Sequence, residues 1–306
     1  MAGPAATHPA HGVWSPALVP VEKNLGIDVA RFIRHARWLL DSGCHGLVLF
    51  GTTSEANSFS VEERTDLLDA VINDGVDPNR LMVGTGCCAF TESVRLTGHA
   101  LSRGCSKVLM LPPFYYKGMS DEGLARSFAT VIDRVADPNL RIYLYHFPQL
   151  SGVPISTGLI DILLANYADI IAGLKDSSGD WSNTAGLLER YPELAIFPGS
   201  ERFLLDGVNA GSAGCITATA NVNAGAIRAV YDAWAGGDDD LANLNDVVCA
   251  TRSIIQDYPM VPALKYLTAR RLSDEAWRQV RPPMVELTAE RGAELVRRLD
   301  EQGLAV

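Results

Sequence analysis

The amino-acid sequence predicts a (β/α)₈ barrel, a TIM barrel, followed by a C-terminal extension of three helices. Three observations carry that expectation. Eight short apolar runs alternate with eight stretches whose apolar residues recur about every 3.6 positions, as β-then-α units do. The length of 306 residues suits one barrel. Beyond Gly237 the alternation ends and only helical patterning remains.

Taken in order, strands are expected at 13–21, 46–50, 81–86, 107–112, 141–147, 170–175, 194–198 and 213–218, each a run of apolar or β-type residues. Helices are expected at 27–41, 61–73, 91–103, 121–135, 157–166, 182–190, 201–209 and 222–235. Several starts carry caps: Asp28 near the first, Ser60 with Glu63 three residues on, and Ser120 before the fourth. The appended helices fall at 238–256, 262–271 and 287–302. With no strands between them, they are expected to pack on the barrel or on a partner subunit. Residues 1–11 are small and polar, lack the basic start and apolar core of a signal peptide, and read as a disordered tail. The organisation is therefore one catalytic barrel, 12–237, with a helical extension, 238–306.

An open doubly wound sheet is the competing architecture. Gly84-Thr85-Gly86-Cys87-Cys88-Ala89 loosely matches a dinucleotide-binding turn, but the acidic residue expected about 20 positions on is missing between Gly104 and Met110. The segment reads as a tight turn.

Composition excludes several function classes. Hydrophobic residues make up 47% of the chain, enough for a large core, and no apolar run is long enough for a membrane span. A formal charge of −10, with no basic cluster, opposes binding to nucleic acid or an anionic membrane. The six cysteines show no metal or redox spacing and read as free thiols in a reducing cytoplasm. No two histidines have metal-binding helical spacing, so neither a metal nor another cofactor is expected.

The chain holds five lysines against twenty-one arginines. Lys23, Lys107, Lys117 and Lys265 fall in segments that read as turns, strand starts or helix surface. Lys175 instead ends the buried run Ile170-Ile171-Ala172-Gly173-Leu174, just before the polar turn Asp176-Ser177-Ser178-Gly179. At a barrel mouth its amine would be partly desolvated, which disfavours the ammonium form and prepares it to attack a carbonyl carbon. The plainer alternative is a lysine that pairs with Asp176. The other strand ends weigh between the two. They carry Gly51-Thr52-Thr53-Ser54-Glu55, whose N–H groups can cradle a carboxylate, then Pro113-Phe114-Tyr115-Tyr116, Tyr143-Leu144-Tyr145-His146, Gly199-Ser200-Glu201 and Ile216-Thr217. In a barrel these loops share one face. An amine, two phenols and a carboxylate-sized donor cluster around one mouth are what a Schiff-base reaction on a 2-oxo acid requires.

These residues resemble the class I pyruvate aldolases typified by dihydrodipicolinate synthase and N-acetylneuraminate lyase. The resemblance rests on Gly51-Thr52-Thr53-x-Glu55, Pro113-Phe114-Tyr115-Tyr116, Tyr145-x-x-Pro148-x-x-x-Gly152 and Gly173-Leu174-Lys175 with Gly179 after it. It implies that Lys175 forms an imine with pyruvate, that Tyr145 moves protons at the substrate oxygen, and that Thr52 and Thr53 bind the pyruvate carboxylate. Thr52 would also relay protons between Tyr145 and Tyr116, and Tyr116 would reach into a neighbouring subunit's site. A homo-oligomer, dimer or tetramer, is thereby implied, as is a contact from Ile216 to the pyruvate methyl side.

Two departures bear on substrate. The arginine that grips a second carboxylate in dihydrodipicolinate synthases is here Leu150, and the asparagine after the motif's tyrosine is His146. Loss of a bidentate clamp disfavours 4-hydroxy-tetrahydrodipicolinate synthesis. The expected pocket is polar and arginine-free, made by His146, Gln149, Ser177, Ser200, Glu201 and Thr217, with Gly199 at its edge. Ser200-Glu201-Arg202 and Ala218 also differ from the sialic acid lyases. The leading expectation is a lyase that cleaves a 2-keto-3-deoxy sugar acid, or a similar 4-hydroxy-2-oxo acid, to pyruvate and an aldehyde. A dehydratase of such acids on the same scaffold is the alternative enzyme, and a 2-oxo-acid-binding regulatory relative is the alternative of another class.

Overall fold

The computed structural model describes residues 10–304. Eight parallel strands form the expected barrel: β1 (Gly12–Pro16), β2 (Gly46–Leu49), β3 (Leu81–Gly84), β4 (Lys107–Met110), β5 (Arg141–His146), β6 (Ile171–Asp176), β7 (Ala195–Pro198) and β8 (Gly214–Ile216). Each pairs with its sequence neighbour from β1 to β7, and β8 pairs with β1. The seam between β7 and β8 is bridged by Ala213 N–H donating to Ile196 O at 3.0 Å.

Strand alternation divides the apolar residues into two layers. Trp14, Val48, Met82, Leu109, Tyr143 and Phe197 fill the barrel interior. Their neighbours Val13, Leu47, Leu81, Val108, Ile142 and Ile196 face outward into the larger layer shared with the helices. The helices of that outer layer are α1 (Val29–Asp41), α2 (Val61–Asn73), α3 (Phe90–Ser102), α4 (Asp121–Val135), the single turn α5 (Pro148–Ser151), α6 (Thr157–Tyr167), α7 (Trp181–Arg190), α8 (Leu204–Asn209) and α9 (Ala220–Gly236). The caps behave as read: Asp28 accepts from Arg31 N, Ser60 and Glu63 form a reciprocal capping box, and Ser120 accepts from Gly123 N.

The first strand is shorter than expected. Ala17 N–H still reaches Val48 O at 3.1 Å, but Leu18 N–H turns to the Asn221 side chain and Pro20 has no N–H to give. The Gly84–Gly86 turn has a steric cause. A Cβ on Gly84 would lie 2.0 Å from Phe50 O, and one on Gly86 2.4 Å from Leu111 N.

After Gly237, which closes α9 in the left-handed conformation (φ 69°), come α10 (Leu241–Ile255), α11 (Met260–Leu272) and α12 (Ala289–Glu301). They enclose a second apolar cluster that reaches the barrel through Leu18 and Val222. Of the expected tail, residues 1–9 lie outside the described residues. Ala10 is buried in the barrel interior, and His11 is partly buried.

Candidate active site

β5 and β6 build the centre of the site. Their register slips between Ile142 and Tyr143, a bulge that brings Tyr145 opposite Lys175 with both side chains inside the barrel. Gly173 is part of that arrangement, because a Cβ there would stand 2.7 Å from the Tyr143 ring and 2.2 Å from Ala195 O. Lys175 is 4% exposed and makes no ion pair among the described residues. Its Nζ lies 3.5 Å from the Tyr145 hydroxyl and 4.6 Å from the centre of the Tyr145 ring. That hydroxyl is 3.2 Å from Thr52 Oγ1. Amine, phenol and hydroxyl thus stand in series, a path along which a proton can pass.

Asp176, the alternative partner for Lys175, points the other way. Its carboxylate accepts from Thr184 Oγ1 at 2.7 Å, Asn183 Nδ2 at 2.9 Å and Ser178 N at 2.9 Å. It anchors the turn into α7 and leaves the lysine amine unpaired.

The turn after β2 supplies another edge of the site. Phe50 and Glu55 bracket it, both with φ near 58°. Ser54 and Ala56 N–H bond to Gly51 O, and Glu55 N–H to Thr52 O. The N–H groups of Thr52 and Thr53 have no protein acceptor among the described residues, so they are free to hold a carboxylate. Glu55 is completely buried beneath the turn and pairs with the equally buried Lys265 of α11. Lys265 was expected on a helix surface. It is instead the cation that ties the extension to this turn, with a second bond to Gln279 O at 2.7 Å.

These groups open into a cavity of about 260 Å³ that Ser177, Gly199, Ser200, Phe203 and Arg252 help to line. Lys175, Tyr145, Thr52, Thr53, Ser177 and Gly199 therefore come together as expected. Six other residues do not. His146 follows Tyr145 by one position, so alternation turns its ring out of the barrel, where Nδ1 accepts from Ile155 N at 2.9 Å and burial holds its pKa below the ordinary value. Ile216 is packed in the interior cluster with Tyr145 and does not line the cavity. Glu201 is fully buried and accepts from Thr217 Oγ1 and Thr219 Oγ1, and Thr217 is consumed in the same network. Gln149 lies outside too, donating to Ser178 O. Tyr116 is 70% exposed on the loop after β4, in edge contact with Tyr115 and away from Thr52 in this chain.

What Glu201 and Thr217 do is hold Arg252. Its Nη1 lies 3.4 Å from Glu201 Oε2 and 3.3 Å from Thr217 Oγ1, which fixes a guanidinium on the cavity wall. The arginine-free pocket is thus corrected: the arginine comes from α10, 77 residues after Lys175. Nothing local in the sequence singles it out, because it sits among Val247, Val248, Ile254 and Ile255 as one polar residue of an amphipathic helix. Among the described residues no cluster of three metal-ligating side chains exists.

A parallel barrel that gathers a buried lysine, a phenol and a free N–H turn at the C-terminal strand ends has the architecture of a class of barrel enzymes with the active site at that mouth. Comparison with known proteins makes it particular. Residues 9–302 match the dihydrodipicolinate synthetase family, and the chain belongs to that family. It is 35% identical over 285 residues to an uncharacterised DapA-like lyase of Chloroflexus aurantiacus, covering 93% of this chain and 94% of that one. A crystal structure of dihydrodipicolinate synthase from Agrobacterium tumefaciens superposes with a TM-score of 0.87 at 31% identity, covering 95% of this chain and 99% of that one. A 2-keto-3-deoxygluconate aldolase variant from Sulfolobus solfataricus shares the fold, with a TM-score of 0.84 at 20% identity, covering 95% of each chain. The protein is accordingly a lyase of the pyruvate-dependent aldolase class.

Proposed function

We propose that this enzyme reversibly cleaves a 2-keto-3-deoxy sugar acid, or a closely similar 4-hydroxy-2-oxo acid, to pyruvate and an aldehyde. The observation that carries the proposal is the unpaired Lys175 amine 3.5 Å from a Tyr145 hydroxyl that is itself 3.2 Å from Thr52, all on one cavity. Lys175 attacks C2 of the 2-oxo acid, Tyr145 gives its phenolic proton to the departing oxygen, and water leaves, giving a protonated imine and a Tyr145 phenolate. Tyr145 takes the proton from the C4 hydroxyl, the C3–C4 bond breaks, and its electron pair flows into the imine as an enamine while the aldehyde departs. Protonation at C3 and hydrolysis then release pyruvate and the free amine. The Thr52 and Thr53 N–H groups hold the carboxylate throughout.

On the aldehyde side, Ser177 and Ser200 offer hydroxyls and Arg252 a guanidinium, whereas Leu150 is 65% exposed and offers no donor. That wall favours an oxygen-rich tail. Tyr115, Tyr116 and Met119 form an exposed apolar group on the loop after β4. It suits burial against a second copy, with Tyr116 completing the neighbour's site.

Incubation with pyruvate and borohydride tests the imine: mass spectrometry should find one pyruvate-derived adduct, on Lys175. An unmodified Lys175 would refute it. A panel of 2-keto-3-deoxy acids with a pyruvate readout tests the reaction. Consumption of an acid without pyruvate would replace cleavage by dehydration, and condensation of pyruvate with aspartate semialdehyde alone would replace the substrate class.

A further inference from the structure

At the N-terminal end of the barrel, opposite the mouth that holds Lys175, a second cavity of about 460 Å³ is lined by Asn79, Ser106, Lys107, Asn139, Arg141 and Tyr143. Lys107 and Arg141 open β4 and β5 and are register partners on adjacent strands. The residues that follow them, Val108 and Ile142, pack in the outer layer, so alternation directs both cations inward with Tyr143. Like charges side by side across a ladder repel, and buried charges are ordinarily paired.

Neither cation makes an ion pair among the described residues. Lys107 is 6% exposed, yet its Nζ donates only to the backbone O of Asn79, at 2.9 Å. Arg141 Nη1 donates to the Pro138 and Leu140 carbonyls, both at 2.8 Å, and its Nε and Nη2 have no acceptor among the described residues. Asp77, the acid whose field reaches Lys107, caps Asn79 N at 2.9 Å and forms no ion pair with the lysine. Burial consequently pulls the Lys107 ammonium below its ordinary pKa. The Tyr143 hydroxyl also has no hydrogen-bond partner among the described residues, and burial keeps it protonated, a donor.

We propose that this lower cavity binds a phosphate-type dianion, free or as the ester of a small metabolite, between Lys107 and Arg141. Two cations match its charge. Ser106, Tyr143 and the amides of Asn79 and Asn139 can donate to its remaining oxygens. The site stands apart from the reaction proposed for Lys175 and does not rest on it.

Calorimetric titration of the full chain at low ionic strength tests it, with inorganic phosphate and glycerol 3-phosphate as probes. At least one should bind saturably, at least tenfold more weakly in Lys107→Met or Arg141→Gln, undetectably in the double variant, and unchanged in Lys175→Ala. The tighter probe tells the free ion from the ester. No saturable binding of either probe, full affinity in the double variant, or loss in Lys175→Ala overturns the proposal. Arg141 is only half-buried, so Arg141→Gln keeps the test decisive if the Lys107 variant does not fold.

Discussion

Replacing Lys265 by methionine should destabilise the protein by about 3–5 kcal/mol, the usual cost of removing one partner from a buried ion pair. Both side chains of the Glu55–Lys265 pair are fully buried, 210 residues apart in the chain. Without the ammonium, Glu55 keeps one donor, Arg281 N at 2.7 Å, for a carboxylate with two oxygens to satisfy. Glu55 also sits in the left-handed region (φ 58°), a conformation costly for a residue with a side chain and held here by those bonds. The second change, Glu55→Gln, removes the stranded charge. In the Lys265→Met background it should therefore restore stability, and the double-mutant cycle should give a coupling above about 1.5 kcal/mol. Urea unfolding at fixed protein concentration measures both. Because the pair lies beneath the Thr52–Thr53 turn, the single variant should also lose kcat. A Lys265→Met protein within about 0.5 kcal/mol of wild type, as a surface substitution would be, or strictly additive effects, would refute the reasoning.

Three further outcomes are expected. Tyr145→Phe should lower kcat for cleavage by roughly 10²–10⁴ while pyruvate still traps on Lys175 under borohydride; wild-type turnover would remove the phenol from the proton path. Gly173→Ala should cost at least about 1–3 kcal/mol, since the added methyl meets the Tyr143 ring at 2.7 Å and backbone oxygen at 2.2 Å, and thermal melting that matches wild type would contradict the packing described. His35 is fully buried between Trp38 and Trp277, and burial pulls its pKa from 6.5 to about 4. Between those values the unfolded chain binds the proton that the folded one refuses. Stability from this group is complete above about pH 6.5 and falls as pH drops toward 4, by up to about 3 kcal/mol. Unfolding free energies at pH 7.5 and 4.5 should differ less in His35→Gln, and an unchanged difference would count against the assignment.

The family lyase assignment and the motif around Lys175 were legible in the sequence. Strand and helix periodicities, capping residues and short motifs are local, and the barrel's topology then carries every strand end to one mouth. Hence the sequence itself groups Lys175, Tyr145, Thr52 and Thr53. Direction was harder to read. His146 is one residue from Tyr145, and only the strand's facing, set by the bulge near Gly173, decides that the phenol enters the barrel while the imidazole leaves it. Glu201 and Thr217 lie on the expected loops but point into a buried network whose purpose is visible only when Arg252 arrives from α10. The Glu55–Lys265 pair spans most of the chain in the same way. Periodicity and motif spacing are set by neighbours a few residues apart, so sequence alone determined the fold class and the candidate amine at the barrel mouth. Which charges meet across 51 or 210 residues depends on how whole helices dock, and only the tertiary structure decided that.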